Sequence, residues 1–100
     1  MPIAVTSITF DIAEKEENEA SLISAHKTLV VALKQNESGF VSGELYKLAE
    51  YDGAYFHIWK WQSEEVAQNE PALRVSMPEM KEYFSNIEGE PLYTEGTLID

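Results

Sequence analysis

The sequence contains no cysteine, which excludes disulfides, thiolate zinc sites and a cysteine nucleophile. Cations are scarce: 7 Lys and Arg against 18 Asp and Glu leave a formal net charge of −11 over 100 residues. A surface of that sign repels phosphate backbones and anionic lipid heads, so neither nucleic acid nor a membrane is an expected partner. No segment approaches the roughly 20 apolar residues of a membrane span. The start, Met1-Pro2-Ile3-Ala4-Val5, lacks the basic region and unbroken apolar stretch of a secretory signal, and the expected location is the cytoplasm. Histidine is limited to His26 and His57, there is no His-x-x-x-His pair, and no glycine-rich phosphate loop exists. Neither a metal nor another cofactor is therefore expected.

What is present is material for one core. Hydrophobic residues make up 44% of the chain and aromatics 11%, so residues 1–100 are read as one domain. Residues 3–12 read as a strand, because Ile3, Val5, Thr6, Ile8, Thr9, Phe10 and Ile12 are β-branched or aromatic. From 17 to 35 the spacing turns helical, with Leu22, Ile23, His26, Leu29, Val30 and Leu33 on one stripe. The cluster Glu14, Glu16, Glu17 and Glu19 complements the positive end of that helix, and Lys34 the negative end. Gly39 is expected to take a left-handed conformation just past it.

A second strand over 40–49 and the turn Tyr51-Asp52-Gly53 lead into Ala54-Tyr55-Phe56-His57-Ile58-Trp59-Lys60-Trp61, and the two strands should form an antiparallel hairpin. Ser63 then offers an N-cap, with Glu64 and Glu65 in the first helical turn. Pro71 and Pro78 divide the following helical region into pieces near 64–69, 72–75 and 79–86. Residues 86–91 read as loop and 92–99 as the last strand, with Gly96 marking a bulge.

This order is the α+β, ferredoxin-like βαββαβ plan: a four-stranded antiparallel sheet with helices on one face. The other face has no cover from its own chain, yet the strands are apolar on both parities. Tyr55, His57, Trp59 and Trp61 oppose Phe56 and Ile58; Phe40, Tyr46 and Leu48 oppose Val41 and Leu45; Leu92 and Leu98 oppose Tyr93 and Ile99. A sheet wetted on one side alternates cleanly instead. Leaving such side chains in water forgoes roughly 1.5–3 kcal/mol each, which points to a homodimer packed sheet to sheet.

Several features converge on one family. They are the strand-first start, the Glu-rich entry to the first helix, Ser38-Gly39-Phe40 leading into strand two, and the Asp52-Gly53 turn. To these are added Trp61-Gln62-Ser63-Glu64-Glu65 and Ser76-Met77-Pro78-Glu79-Met80 ahead of Tyr83-Phe84. Over nearly its whole length the chain resembles the dimeric α+β barrel proteins of the antibiotic biosynthesis monooxygenase type. The resemblance implies sheet-to-sheet dimers with a pocket between sheet and helices in each subunit. It also implies cofactor-independent oxidation of aromatic polyketides or quinols in some relatives, haem degradation in others, and isomerisation or no known activity in the rest. Trp61 matches the strand-ending tryptophan of the polyketide-oxidising relatives, but His57 stands where they carry an asparagine. Haem degradation fits poorly: the chain has no asparagine before Asn18, no tryptophan after Trp61 and no histidine after His57.

His57 is the expected catalytic residue, since an imidazole titrating near its ordinary value can take a phenolic or enolic proton. Trp61, Trp59 and Tyr55 on its face, His26 from the first helix and Tyr46 from the neighbouring strand are expected to line the substrate site. The bland alternative pairs His57 with a backbone carbonyl or with Glu44, and treats His26 and the aromatic rings as core. Met77, Met80, Tyr83 and Phe84 are expected in the core, and Arg74 and Lys81 at the surface. Three readings stay open: a monooxygenase-like enzyme for a small aromatic or quinol-type compound, a non-catalytic or stress-related barrel binding a small hydrophobic ligand, and a small isomerase or cyclase using His57.

Overall fold

The computed structural model describes residues 3–12 and 15–99, without the side chains at 15–17. Met1 and Pro2, and the helix-start charge expected of Glu14, Glu16 and Glu17, fall outside what is described. Strands β1 (Ala4–Ile12), β2 (Phe40–Lys47), β3 (Ala54–Trp61) and β4 (Ile87–Thr97) form one antiparallel sheet in the order β2-β3-β1-β4. Helices α1 (Lys15–Asn36), α2 (Glu64–Ala67), α3 (Glu70–Ser76) and α4 (Pro78–Phe84) complete the α+β, ferredoxin-like arrangement. No described helix is long and apolar enough to cross a membrane.

Period-two burial on β1 and β3 fixes which face meets the helices. Ala4, Thr6, Ile8, Phe10 and Ile12 are buried from β1, and Tyr55, His57, Trp59 and Trp61 from β3. Leu22, Ala25, Leu29, Ala32 and Leu33 of α1 and Met80 and Tyr83 of α4 close over them. Ile23, expected on the buried stripe, lies on the outer side of α1, since its neighbour Leu22 already occupies the inward angle.

Two prolines punctuate the region after β3 as expected, each opening a new short helix at its first turn. Ser63 caps α2 by accepting from the Val66 backbone N–H at 3.3 Å. Gly39 does not take the left-handed conformation, which among the described glycines falls to Gly53 and Gly89. It is small for another reason: a Cβ there would collide with the Val66 side chain.

The last strand departs from expectation at both ends. Residues 87–91, expected as loop, belong to β4, and the irregularity is not at Gly96, which pairs regularly with Val5. The register instead slips between Thr9 and Asp11, where Thr9 faces Leu92 and Asp11 faces Glu88. Gly89, with φ of 71°, lies inside that slip and supplies the positive φ that turns the strand through a bulge next to Pro91.

A second bulge reorders β2. The register against β3 slips between Phe40 and Ser42, so residues of equal parity lie on opposite faces. Phe40 packs edge-on against Trp61 among the helices, whereas Tyr46 pairs with Phe56 on the open face. The open face carries Phe56, Ile58, Val5, the exposed Tyr46 and Leu92, and also Ser7, Thr9, Glu44 and Lys60.

Candidate functional site

Strand β3 delivers four large side chains to the helix side in a row, Tyr55, His57, Trp59 and Trp61, and the second position of that row is where polar chemistry collects. His57 is fully buried. Trp59 lies beside it at 4.0 Å between ring centroids and Tyr83 of α4 meets it edge-on at 5.1 Å. From α1, one turn after Leu22, His26 reaches down so that its Nδ1 is 2.8 Å from His57 Nε2. One of the two nitrogens carries the proton of this hydrogen bond and the other accepts it.

Room for the imidazole is made on β2 by Gly43, where a Cβ would sit 3.2 Å from both His57 Cε1 and Val30 Cγ2. Real Cβ atoms rarely come so close, so a larger residue displaces the ring or the helix. Neither a backbone carbonyl nor Glu44 pairs with His57; its partner is the other histidine.

Burial pushes the His57 imidazole down to about 2, with the neighbouring His26 adding to the effect. His26 is half-buried and also lowered, first by burial and then by Lys27, with Glu44 opposing. Both rings are consequently neutral near pH 7, and His57 alone holds a proton poorly. This corrects the expectation of an imidazole titrating near its ordinary value.

Three polar atoms around this point have no partner: His57 Nδ1, Trp59 Nε1 and the Tyr83 hydroxyl, each buried. Burial raises Tyr83 well above the usual phenol range, so its hydroxyl keeps its proton. An unpaired buried polar group costs about 1–3 kcal/mol. These three atoms, on rings in mutual contact, leave hydrogen-bonding capacity that a polar ligand atom or a water within reach would satisfy.

The remaining expected residues divide. Trp61 is fully buried at the end of the row, but its indole N–H already donates to Thr6 Oγ1 at 3.0 Å and so pins β3 to β1. Tyr55 stacks on Phe10 at 6.0 Å at the far end of the strand, and burial followed by the nearby Glu19 carboxylate raises its phenol. Tyr46 does not reach this site: it stacks on Phe56 at 4.7 Å on the opposite face of the sheet, because the bulge in β2 reverses the parity.

Arg74 departs from the surface placement expected of it. Its guanidinium lies over the Phe84 and Tyr93 rings at 4.6 and 4.9 Å. Its Nε donates to Oε1 of the fully buried Glu70 at 2.9 Å, and Nη2 is 2.9 Å from the same oxygen but outside hydrogen-bonding geometry. Glu70 Oε2 is left buried and unpaired. Among the described residues no group of three or more His, Asp or Glu side chains is arranged to hold a metal ion.

Neither a family model nor a curated protein matches the sequence. Solved structures do match in three dimensions. The cofactor-independent oxygenase SnoaB of Streptomyces nogalater superposes with a TM-score of 0.72 over 98% of this chain and 94% of its own, at 15% identity. A Caulobacter crescentus protein named as a candidate antibiotic biosynthesis monooxygenase gives 0.75 over 99% and 92%, at 14% identity. A dimeric ferredoxin-like protein from an uncultured marine organism gives 0.73 over 100% and 98%, at 11% identity. The fold is the ferredoxin-like one of these proteins. At such identities the likeness is one of fold, and the chemistry of this ferredoxin-like chain rests on its own side chains.

Sequence reasoning reached His57, His26 and Trp59 through strand parity and the stripe of α1. It missed Tyr83 as part of the site, because a tyrosine spaced three residues from Met80 on a short helix has the signature of core. It also missed Gly43, whose role is visible only once β2, β3 and α1 are brought together, and Thr6, which no local pattern marks as the acceptor for Trp61.

Proposed function

We propose that the protein is a cofactor-independent, monooxygenase-like enzyme that acts as a homodimer on a small aromatic or quinol-type compound. The observation that carries this reading is the trio of unpaired buried atoms, His57 Nδ1, Trp59 Nε1 and Tyr83 Oη, on rings in mutual contact. A bound hydroxyl group satisfies such a trio: it gives its proton toward His57 Nδ1 and accepts hydrogen bonds from the indole N–H and the phenol. Those two donors favour the oxygen anion once the proton has left. An electron-rich phenolate or enolate held there passes an electron to dioxygen without flavin or metal, and Trp59 and Tyr83 offer apolar ring surface to an aromatic substrate.

The homodimer rests on the open face of the sheet. Phe56, Ile58 and Tyr46 form an apolar patch on β3 and β2, with Leu92 of β4 beyond Thr9 of β1, and a second copy of this face is its natural cover.

Oxygen uptake with a panel of quinols and hydroxylated anthrones tests the activity. Turnover by the natural protein that falls about 100-fold or more in His57→Gln supports the reading. Turnover unchanged by the substitution removes His57 from the chemistry. The second reading, a barrel that holds a small hydrophobic ligand without converting it, is favoured by the closeness of the rings around the fully buried His57. It gains if ligands quench the tryptophans while no oxygen is consumed.

A further inference from the structure

We propose that His26 and His57 form a two-imidazole proton relay that carries a substrate proton from the buried site through the half-buried His26 to water; this rests on the enzymatic reading above. The geometry is a line of four nitrogens. His57 Nδ1 is buried and unpartnered at the inner end, His57 Nε2 and His26 Nδ1 are 2.8 Å apart in the middle, and His26 Nε2 is the outer end. His26 is half-buried, and its Nε2 is not among the buried unpartnered atoms.

In the resting state His57 is protonated on Nε2 and donates to His26 Nδ1, while His26 carries its own proton on Nε2. A substrate hydroxyl gives its proton to His57 Nδ1. The proton on His57 Nε2 passes to His26 Nδ1, and the proton on His26 Nε2 leaves to water. The substrate has lost one proton and water has gained one. Both rings end neutral with their tautomers exchanged, and the reverse passage, when product oxygen is reprotonated, restores them.

The relay answers a difficulty that His57 alone poses. A buried imidazole flanked by Trp59 and Tyr83 cannot keep a positive charge, because desolvation opposes it and neither neighbour supplies a compensating negative charge. Handing the charge on as it arrives avoids storing it. His26 is nearer water, and the groups acting on it from α1 and β2 are Lys27 and Glu44, of opposite sign. His26 is thereby assigned as a positioning and proton-carrying residue, not a substrate contact.

His26→Asn is the decisive variant, since the Asn amide can keep the hydrogen bond to His57 Nε2 but cannot accept a proton on one side and release another. In 15N-labelled full-length protein, NMR is expected to show His57 protonated on Nε2, and solvent exchange of that ring proton is expected to be lost or slowed in His26→Asn. A His57 Nδ1–H tautomer, or exchange unaffected by the substitution, overturns the relay. In oxygen uptake with the quinol panel, His26→Asn is expected to lower kcat about 100-fold with KM unchanged. His26→Ala is expected to regain rate on addition of free imidazole. A His26→Asn enzyme as fast as the natural one also overturns the relay. If no quinol or anthrone is turned over by the natural protein, the functional reading falls, and the NMR measurement still decides the relay.

Discussion

Acid should unfold this protein earlier than its carboxylates alone require, and His57 is the reason. Its folded-state value is about 2 against 6.5 for an unperturbed imidazole. Above pH 6.5 the ring is neutral in both states and contributes no pH dependence. Below it, the unfolded chain takes up a proton that the folded chain refuses, so stability falls as pH falls across the window from about 6.5 down to about 2. The limiting slope is about 1.4 kcal/mol per pH unit, and by pH 4.5 the loss relative to the neutral plateau amounts to about 2.7 kcal/mol. A domain of this size has only about 5–15 kcal/mol in total. The corresponding drop in Tm is roughly 10–20 °C.

Trp59 and Trp61 are both fully buried, so their emission reports unfolding directly. Urea titrations at fixed protein concentration, at half-unit steps between pH 4.5 and 7.5, give the curve for the natural protein and for His57→Gln. The carboxylates titrate in both and cancel in the difference, and repeating the pair in a His26→Asn background removes the contribution of His26, which is hydrogen-bonded to residue 57. The expected result is two curves separated by a slope of one proton below pH 6.5 and parallel above it. Curves that stay parallel through the whole range would falsify the picture of a neutral, buried His57.

Two further outcomes follow from other parts of the fold. Arg74→Met leaves the fully buried Glu70 without its cation and is expected to cost about 3–5 kcal/mol at pH 8 in urea melts. Burial already raises Glu70 against the pull of Arg74, and without the arginine it rises further. A raised carboxyl stabilises most below its unfolded value, so the penalty should shrink as pH falls toward 5, and a penalty independent of pH counts against a charged Glu70. On the open face, the proposed homodimer is expected to be converted to monomer by Ile58→Asp in light scattering, with the His26–His57 pair on the helix side left intact. A dimer unaffected by the change excludes this face as the interface.

Much of this was legible because β1 and β3 obey strict alternation. His57 and Trp59 could be assigned to one face from period two alone, and Ser63, Pro71 and Pro78 mark helix starts through chemistry that does not depend on distant contacts. The convergence of His26 on His57 was legible too, as a stripe facing a strand. What was hidden is whatever depends on a slip of register. The bulge after Phe40 sends Tyr46 to the open face, and the bulge around Gly89 extends β4 into what reads as loop. Both are tertiary choices, made by how neighbouring strands fit. Arg74 was misread for a related reason: its partner Glu70 is one turn away on the same helix α3, but the burial of Glu70 and the Phe84 and Tyr93 rings over which Arg74 lies depend on α4 and β4 and are set only after folding.

The same alternation ties the proposed chemistry to the proposed assembly. On β3 the odd positions bring His57 to His26 and Trp59 to Tyr83, while the even positions put Phe56 and Ile58 on the face left open for a second subunit. A slip of one residue exchanges the two sets, burying Lys60 among the helices and turning the imidazole toward the open face. The register is therefore held at its end as well as along its length. Trp61 donates across to Thr6, Phe40 packs against the same indole, and Gln62 N–H donates to Gly39 C=O at 2.8 Å just beyond the strand. Trp61 thus supports the candidate site without touching it: by fixing where β3 stops, it fixes the face of the sheet from which His57 meets His26.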